Sequence, residues 1–245
     1  MTGQFISPNQ FNRDSRVVFF TGAGISAESG ISTFRDPEGL WSKYDQTVLA
    51  SPEGFMDNPG RVLSWYAFRR NIIRKSNPNA GHYGISDFQK LFPDSVVITQ
   101  NVDGLHAVAG NQNIYELHGN IHVHKCHICG EKTEVPIKDE LTLNYCYCGG
   151  PIRPGVVWFG ESLAQSTLMD SFNKVRECDI LFTIGTSTQI YPAAQLPYEA
   201  QSNGAFVIEI NPDETPFSPQ ANLSLREAAG TAVPKLYEEF YASFS

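Results

Sequence analysis

Short runs of apolar residues recur along the chain and are separated by polar segments rich in turn formers. Runs of this length are typical of strands that are buried on both faces of a parallel sheet. They lie at 17–20, 95–99, 114–117, 179–184 and 205–210. The helices predicted between and after them lie at 61–75, 79–91, 192–202 and 233–244. Strands that alternate with helices predict an α/β protein with a doubly wound, mostly parallel, Rossmann-like sheet.

The first of these strands runs into a glycine-rich turn, Thr21-Gly22-Ala23-Gly24. Backbone N–H groups left free at such a turn, together with the positive end of the following helix, favour a pyrophosphate. The glycines lie at 22, 24 and 30, however, which is not the G-x-G-x-x-G spacing of ordinary dinucleotide-binding folds. A glycine-rich turn that binds no ligand is equally compatible with this segment.

Polar side chains also follow the other predicted strands. Gln100, Asn101 and Asp103 come directly after the second strand, and His118 comes directly after the third. Because ligands of open parallel sheets bind beyond the carboxyl ends of the strands, these side chains predict a binding site there. Two structural alternatives stay open: Asn101 and Asp103 could cap the next helix, and a single histidine is more often structural than catalytic. The ordinary pKa of histidine, near 6.5, would let His118 act as a base or as an acid.

Four of the five cysteines fall in two close pairs, Cys126 with Cys129 and Cys146 with Cys148. The spacing between the pairs suits a zinc ribbon, in which four thiolates leave no open position on the metal, so the ion would be structural. We expect Cys146 and Cys148 to converge because residues two apart in an extended segment point to one side. Reduced cysteines without a metal are the alternative, and His127 is a substitute ligand of lower rank.

The charge of the chain changes which partners are expected. Its 245 residues contain 18 Lys and Arg against 26 Asp and Glu, a formal net charge of −8. Nucleic acid is excluded as a general partner, since neutralising phosphates requires a basic surface. An acidic surface suits basic, lysine-rich polypeptides, or it serves only solubility. No apolar run approaches the roughly 20 residues that span a bilayer and no leader pattern opens the chain, so we expect a cytoplasmic protein that does not bind membranes.

Several of these segments together resemble the sirtuins, which are NAD-dependent protein lysine deacylases. The matching segments are 22–30, Thr33-Phe34-Arg35, 100–106, 117–120, the two cysteine pairs and 152–161. They occur in the expected order, and the resemblance covers about residues 16–240. The chain departs from the family pattern at Ser32, where proline is usual, and in its second cysteine pair, which is C-x-C where the family more often has C-x-x-C.

The resemblance implies NAD as the cofactor and one structural zinc ion held by the four cysteines. It assigns catalysis to His118, Asn101 and Asp103. The cofactor-binding residues that it implies are Gly22, Ala23, Gly24, Ala27, Thr33, Phe34, Arg35, Gln100, Asn101, Asp103, Gly185, Thr186, Ser187, Asn211, Pro212, Asp213 and Ala229. The substrate-binding residues that it implies are Val156, Val157 and Phe159 in an acyl-lysine tunnel, and Gly160 and Glu161 as backbone partners of the peptide by strand addition.

The implied reaction removes the acyl group of an acyl-lysine protein or peptide and consumes NAD. Its products are free lysine, nicotinamide and O-acyl-ADP-ribose, and His118 acts as the base toward a ribose hydroxyl. Two other functions stay open. An NAD glycohydrolase or ADP-ribosyltransferase would consume NAD without an acyl peptide, and a nonenzymatic NAD-binding module would not consume it at all.

Tyr66 and Arg69 are three residues apart on a predicted helix and so share a face. From the residues alone, an amphipathic tyrosine beside a solvated arginine is expected. Within the resemblance the pair matches the Tyr-x-x-Arg motif of desuccinylase-like sirtuins, and a phenol with a guanidinium can bind a carboxylate at the end of an acyl chain. Succinyl- and malonyl-lysine therefore join acetyl-lysine as expected substrates. A general deacetylase in which Arg69 faces solvent is the alternative.

The resemblance also implies one catalytic unit over residues 1–245, which we expect to be a monomer. A Rossmann-like large domain would comprise about 1–36, 78–122 and 155–245. A small zinc-binding and helical insert would comprise about 37–77 and 123–154.

Overall fold

The computed structural model describes residues 11–33, 40–133 and 141–244. Its strands are β1 (Val17–Thr21), β2 (Ser95–Thr99), β3 (Ile114–Glu116), β4 (Gly119–Cys126), β5 (Lys132–Thr133), β6 (Ile152–Val156), β7 (Ile180–Ile184), β8 (Phe206–Ile210) and β9 (Leu223–Leu225). Its α-helices are α1 (Leu40–Lys43), α2 (Gln46–Leu49), α3 (Pro52–Asp57), α4 (Pro59–Lys75), α5 (Ala80–Leu91), α6 (Leu105–Val108), α7 (Gln165–Glu177), α8 (Leu196–Ser202) and α9 (Ala229–Ser243). Short 3-10 helices span Ala23–Ser29, Ala193–Gln195 and Ser218–Gln220.

The large sheet has the strand order β3-β2-β1-β7-β8-β9, and every neighbouring pair of strands is parallel. Strands β1, β2 and β7 are buried along their whole length, as continuous apolar runs require. One hydrophobic cluster covers one face with α5 and α9, and a second covers the other face with α7 and α8. This confirms the predicted doubly wound α/β sheet. The strand order reverses between β1 and β7, which is where ligands bind in sheets of this kind.

A second sheet contains three antiparallel strands in the order β5-β4-β6. β4 begins directly after His118, and its first residue, Gly119, pairs with Val156 at the end of β6. A third hydrophobic cluster packs residues of this sheet against α2, α3 and α4, with Phe55 and Trp158 fully buried in it. The path of the chain thus places His118 at the junction between the two sheets.

Some elements are not visible in the hydrophobic pattern. The helix after β1 is a 3-10 helix rather than an α-helix, and Ile25 N–H donates to the Gly22 carbonyl at 3.2 Å. α7 has only Ser171 and Val175 fully buried, so its apolar stripe is too short to stand out. α9 begins before the predicted start at 233. Within the described residues, no helix combines the length and the apolarity required to cross a lipid bilayer.

Candidate active site and metal site

A cavity of about 950 Å³ opens along the carboxyl ends of the strands in the large sheet. Its volume lies at the upper end of the range for ligand sites in proteins. The sequence-predicted residues on its wall are Gly22, Ala23, Gly24, Ala27, Thr33, Tyr66, Arg69, Gln100, Asn101, His118, Val156, Val157, Phe159, Gly160, Glu161, Gly185, Thr186, Ser187, Asn211, Pro212 and Asp213. Residues that are far apart in the chain therefore meet around one space.

Two described residues predicted for catalysis or cofactor binding, Ala229 and Asp103, are not on this wall. Phe34 and Arg35 lie outside the described residues. Ala229 is the first residue of α9 and belongs to the hydrophobic core, where its side chain is 4% exposed. Asp103 is buried behind the wall and contacts the site only through its neighbours. The structure thus does not bring Ala229 or the Asp103 carboxylate to the cavity surface.

The glycine-rich turn after β1 packs against the loop after β7. The N–H groups of Gly22 and Gly24 donate hydrogen bonds to the carbonyls of Ile184 and Gly185, at 3.0 and 2.8 Å. These two N–H groups are therefore not free for a phosphate, in contrast to the expectation from the sequence. A Cβ on Gly24 would lie 2.7 Å from the Cα of Gly185. The glycines are required because two backbone segments touch at this point.

His118 has a defined tautomer in this site. Its Nδ1 lies 2.9 Å from the backbone carbonyl oxygen of Gln100. Because a carbonyl oxygen can only accept, Nδ1 carries the proton and Nε2 is the nitrogen that can accept one. Burial lowers the pKa of His118 below its ordinary value, and the hydrogen bond to Gln100 only partly opposes this. The imidazole is consequently neutral at physiological pH, as a general base must be.

Ser26 organises the polar residues that follow β2, although the sequence analysis did not identify it. Its hydroxyl donates to Asp103 Oδ2 at 2.8 Å and accepts from Asn101 Nδ2 at 3.2 Å. The other carboxylate oxygen of Asp103 accepts the N–H of Leu105, the first residue of α6, at 2.9 Å. Ser26 lies in the same segment as the predicted glycine turn, and only its 1% exposure distinguishes it from an ordinary surface serine.

Two further histidines lie behind this network and are uncharged at neutral pH. His82 Nε2 lies 3.5 Å from Ser26 Oγ, and burial lowers the pKa of His82 to about 4. His106 Nε2 lies 2.9 Å from Thr21 Oγ1, and burial lowers the pKa of His106 to about 3. Both rings pack in the interior, with their centroids 5.0 Å apart. Their contribution to the site is to support Ser26 and Thr21 rather than to titrate.

Hydrogen bonds donated by side chains hold the ends of β2, β7 and β8 together. Gln100 Nε2 donates to Thr186 Oγ1 at 2.7 Å, and Asn211 Nδ2 donates to the Thr186 carbonyl at 3.0 Å. In β8, the buried carboxylate of Glu209 accepts hydrogen bonds from three hydroxyl groups and from Arg226. Burial alone would raise the pKa of Glu209, but these hydrogen bonds together lower it below its usual value. Arg226 also donates to the carbonyls of Asn211 and Asp213, so the Glu209 network holds the loop that carries residues 211–213.

Tyr66 and Arg69, on α4, lie on the wall of the same cavity. Each side chain is 3% exposed, so the alternative of a solvent-facing Arg69 is wrong. Burial lowers the pKa of Arg69 and raises the pKa of Tyr66, which stays protonated. The Tyr66 hydroxyl oxygen accepts a hydrogen bond of 2.7 Å from Trp158 Nε1. Trp158 also lines the cavity. The sequence did not reveal this, because the resemblance assigns the residues on either side of it to the substrate tunnel and gives Trp158 no role.

The segment after β6 already uses several of its backbone donors. Hydrogen bonds of 2.8 to 3.0 Å already join the N–H groups of Val157, Phe159 and Glu161 to carbonyl oxygens of this chain. The Glu161 carboxylate is paired with the buried Arg153 and accepts the N–H of Trp158 at 2.9 Å. Strand addition by a peptide would therefore have to use other backbone groups of this segment. Glu161 has an internal structural role that its sequence position does not reveal.

The four paired cysteines form one cluster. The Sγ atoms of Cys126, Cys129, Cys146 and Cys148 all lie within 4.8 Å of one another. Cys126 Sγ is 3.5 Å from Cys148 Sγ, and Cys129 Sγ is 3.7 Å from Cys146 Sγ. Tetrahedral zinc with Zn–S bonds of about 2.3 Å places its sulfurs about 3.8 Å apart, so the donor set fits one zinc ion. The cluster has the ligand set of a closed, structural site.

The two cysteine pairs converge through turns. Gly149 N–H donates to the Cys146 carbonyl at 2.9 Å, so the second pair lies in a turn and the expectation of an extended segment is wrong. In the first pair, the N–H groups of Ile128 and Cys129 point to Cys126 Sγ at 3.4 and 3.5 Å. His127 packs against the ring of Phe55, with centroids 5.4 Å apart, and is not a member of the cysteine cluster.

A parallel sheet with a large cavity at its switch point, joined to a four-cysteine module, defines an α/β cofactor-binding protein with a zinc-type insert. A family model described as "Sir2 family" matches residues 22–192. This chain belongs to the Sir2 family, whose members are the sirtuins.

Relatives of known name and structure agree with this assignment. A protein of Aquifex aeolicus (strain VF5) named NAD-dependent protein deacylase is 46% identical over 230 residues, which cover 91% of this chain and 94% of that protein. A crystal structure described as a complex of a Sir2 homologue with NAD has a TM-score of 0.87 and 39% identity, and the match covers 95% of this chain and 92% of that one. A Sir2 structure with a deacetylated p53 peptide and 3′-O-acetyl ADP-ribose has a TM-score of 0.77 and 30% identity, covering 94% of each chain.

Proposed function

We propose that this protein is an NAD-dependent protein lysine deacylase, which transfers the acyl group of an acyl-lysine to ADP-ribose. The observation that carries the proposal is the geometry of His118. One ring nitrogen is fixed by the Gln100 carbonyl, the other can accept a proton, and the residue lies on the wall of the cavity between the cofactor and substrate residues. Membership of the Sir2 family and the similarity to named deacylases support the same conclusion.

The residues on the cavity wall fit NAD. The cavity is large enough for a dinucleotide-sized ligand, and amide and hydroxyl groups of Gln100, Asn101, Ser187 and Asn211 lie on its sheet side. We assign these side chains, with the glycine turns after β1 and β7, to cofactor binding. Asp103 accepts the hydrogen bond of Ser26, which in turn accepts from Asn101, so Asp103 positions the side-chain amide of Asn101. Roles for Phe34 and Arg35 in binding the cofactor stay predictions.

The chemistry divides between the cofactor and the side chains. NAD, when bound, supplies the ribose to which the acyl group is transferred and nicotinamide as the leaving group. His118 Nε2 accepts a proton from a hydroxyl group, while its Nδ1–H stays hydrogen-bonded to the Gln100 carbonyl and keeps the ring oriented. Val156, which is 7% exposed, and the neighbouring apolar side chains exclude water from the acyl end.

One incubation tests the proposal and its alternatives. The protein is mixed with NAD, with and without an acyl-lysine peptide, and the products are identified by mass spectrometry. A deacylase forms O-acyl-ADP-ribose, nicotinamide and free lysine only when the peptide is present. Loss of NAD without peptide would instead indicate a glycohydrolase or ADP-ribosyltransferase, and unchanged NAD under both conditions would indicate a binding module. The matched control is His118→Ala, whose circular dichroism spectrum should match that of the wild type and so show that the variant is folded. It should form each of these products more slowly than the wild type.

We further propose that acyl groups ending in a carboxylate are preferred over acetyl. The support is the burial of a phenol and a guanidinium on one helix face of the cavity wall, where Tyr66 packs among apolar residues and an anionic acyl group would be bound by charge-assisted hydrogen bonds. Comparing kcat/KM for succinyl- and acetyl-peptides in the wild type and in Arg69→Met tests this. Removing a hydrogen bond to a charged group should lower the succinyl-to-acetyl ratio by roughly tenfold to a hundredfold. An unchanged ratio would contradict the anion site.

The remaining expectations from the sequence stand as parts of this proposal. A structural zinc ion would organise the insert formed by about residues 37–77 and 123–154, and the Rossmann-like domain would contain about 1–36, 78–122 and 155–245. The partners would be acyl-lysine proteins or peptides, with no nucleic acid and no membrane. A monomeric state and a cytoplasmic location stay predictions, which light scattering and cell fractionation would test.

A further inference from the structure

Trp158 gives the Tyr66 hydroxyl a direction. Indole Nε1–H can only donate, so in the 2.7 Å contact between them the phenol oxygen must accept. A phenol O–H lies near the plane of its ring and has two preferred orientations, one on each side of the C–O bond. The Trp158 donor occupies one side, so the Tyr66 proton is turned to the other side and is available to donate.

The indole that sets this direction is held rigidly. Trp158 is 2% exposed. The Arg153 guanidinium carbon lies 3.8 Å from the centroid of its ring, and the Phe55 ring packs at 5.3 Å. Arg153 is fixed in turn by Glu161 and by the Val156 carbonyl, which accepts from it at 2.9 Å. A cation over the face of an indole is attracted to the ring and so helps to hold it in place.

The Tyr66 hydroxyl is a suitable donor for an anion. Tyr66 lies on the wall of the cavity, and burial raises the pKa of its phenol, so the proton is retained throughout the physiological range. Arg69, one helical turn further along α4, lines the same end of the cavity. A carboxylate at this end can accept from both groups. The methyl of an acetyl group can accept from neither and would leave the buried O–H without a partner.

We infer that Trp158 is a positioning residue for acyl specificity: its indole N–H orients the Tyr66 hydroxyl as a donor and thereby favours acyl-lysines that end in a carboxylate. This inference rests on the proposed deacylase function and its anion site. Trp158 acts through Tyr66 and does not itself need to touch the carboxylate. The loss of its N–H therefore matters only while the Tyr66 hydroxyl is present.

A double-mutant cycle tests the inference. The ratio of kcat/KM for succinyl-peptide to that for acetyl-peptide is measured in the wild type, Trp158→Phe, Tyr66→Phe and the double variant. Trp158→Phe should lower the ratio by roughly threefold to tenfold, and Tyr66→Phe by roughly tenfold or more. The double variant should show the ratio of Tyr66→Phe alone, because the indole N–H has nothing left to orient. Dissociation constants of the succinyl-peptide, measured by calorimetry, should follow the same order.

Trp65→Phe is the matched control. Trp65 packs edge-on against the same phenol, with ring centroids 4.8 Å apart, but the hydrogen bond to the Tyr66 oxygen comes from Trp158. The Arg69 guanidinium carbon also lies 6.0 Å from the centroid of the Trp65 ring, and phenylalanine keeps an aromatic ring beside both groups. Trp65→Phe should therefore change the ratio by less than about twofold. Should Trp158→Phe fail to fold, incorporation of benzothienylalanine at position 158 removes the N–H and keeps the shape of the ring.

Each outcome separates this inference from the function on which it rests. Suppose first that Tyr66→Phe and Arg69→Met still lower the ratio of succinyl to acetyl turnover. An unchanged ratio in Trp158→Phe would then overturn the role of Trp158 and leave the anion site intact. The same conclusion would follow if the effects of Trp158→Phe and Tyr66→Phe multiplied in the double variant. A wild type without preference for succinyl-peptide would overturn both the anion site and this inference. Absence of turnover with every acyl-peptide would overturn the deacylase function itself.

Discussion

Replacing Gly185 by alanine should destabilise the protein strongly, because two strand-end loops touch at this residue. Gly185 has a φ of 59°, and a Cβ there would lie 2.4 Å from the backbone nitrogen of Ile25 and 2.6 Å from the carbonyl carbon of Gly24. Both contacts are with backbone, so no side-chain rotation relieves them. The left-handed conformation costs alanine about 1–2 kcal/mol, and overpacking adds about 1–3 kcal/mol. We therefore expect the free energy of unfolding to fall by about 2–5 kcal/mol.

Gly204→Ala isolates the cost of the contact from the cost of the conformation. Gly204 also has a positive φ, 91°, but a Cβ there would have nothing within 4 Å. Its replacement should cost only about 1–2 kcal/mol. Urea unfolding followed by circular dichroism gives both values, and the slope of the transition should be the same in the two variants. Gly185→Ala should in addition weaken NAD binding in calorimetry, because both touching loops line the cavity.

The comparison can refute the reasoning directly. If the two variants lose the same stability to within about 0.5 kcal/mol, the left-handed conformation accounts for the whole effect and the loop contact contributes nothing. If Gly185→Ala binds NAD with wild-type affinity, the spacing between the loops does not control the cofactor site.

Three other predictions concern the base, the metal and a buried carboxylate. His118→Ala should lower kcat/KM by about 10² to 10⁴ without loss of folding. Burial lowers the pKa of His118, so the wild-type rate should stay constant as the pH is lowered to about 6.5 and should fall only below that. A rate that already declines above pH 7 as the pH is lowered would contradict a buried base. Cys129→Ser should lose zinc by mass spectrometry and melt at a lower temperature, whereas Cys178→Ser, which alters a cysteine outside the cluster, should retain zinc. Glu209→Gln should cost about 1–3 kcal/mol at pH 7. Because folding lowers the pKa of Glu209, that difference should be complete above about pH 4.5 and shrink as the pH falls through the folded-state pKa; a difference that is constant down to pH 3 would contradict it.

The amino-acid sequence by itself determined the elements whose burial is a local property. The runs that form β1, β2, β7 and β8 are mostly apolar on both faces, and a strand covered on both faces needs little other signal. Polar residues after those strands could be placed at one edge, because parallel strands end on the same side of their sheet. The paired cysteines could be grouped because metal ligands recur at short spacings.

Only the tertiary structure decided how residues distant in the chain are used. The N–H groups of Gly22 and Gly24 were expected to face a ligand, yet they bind the loop after β7. Ala229 belongs to the core, and the hydroxyl of Tyr66 is oriented by an indole 92 positions away. These facts depend on distances between side chains and backbone atoms that no local pattern encodes, because hydrogen bonding and close packing act only after the sheet has brought the segments together.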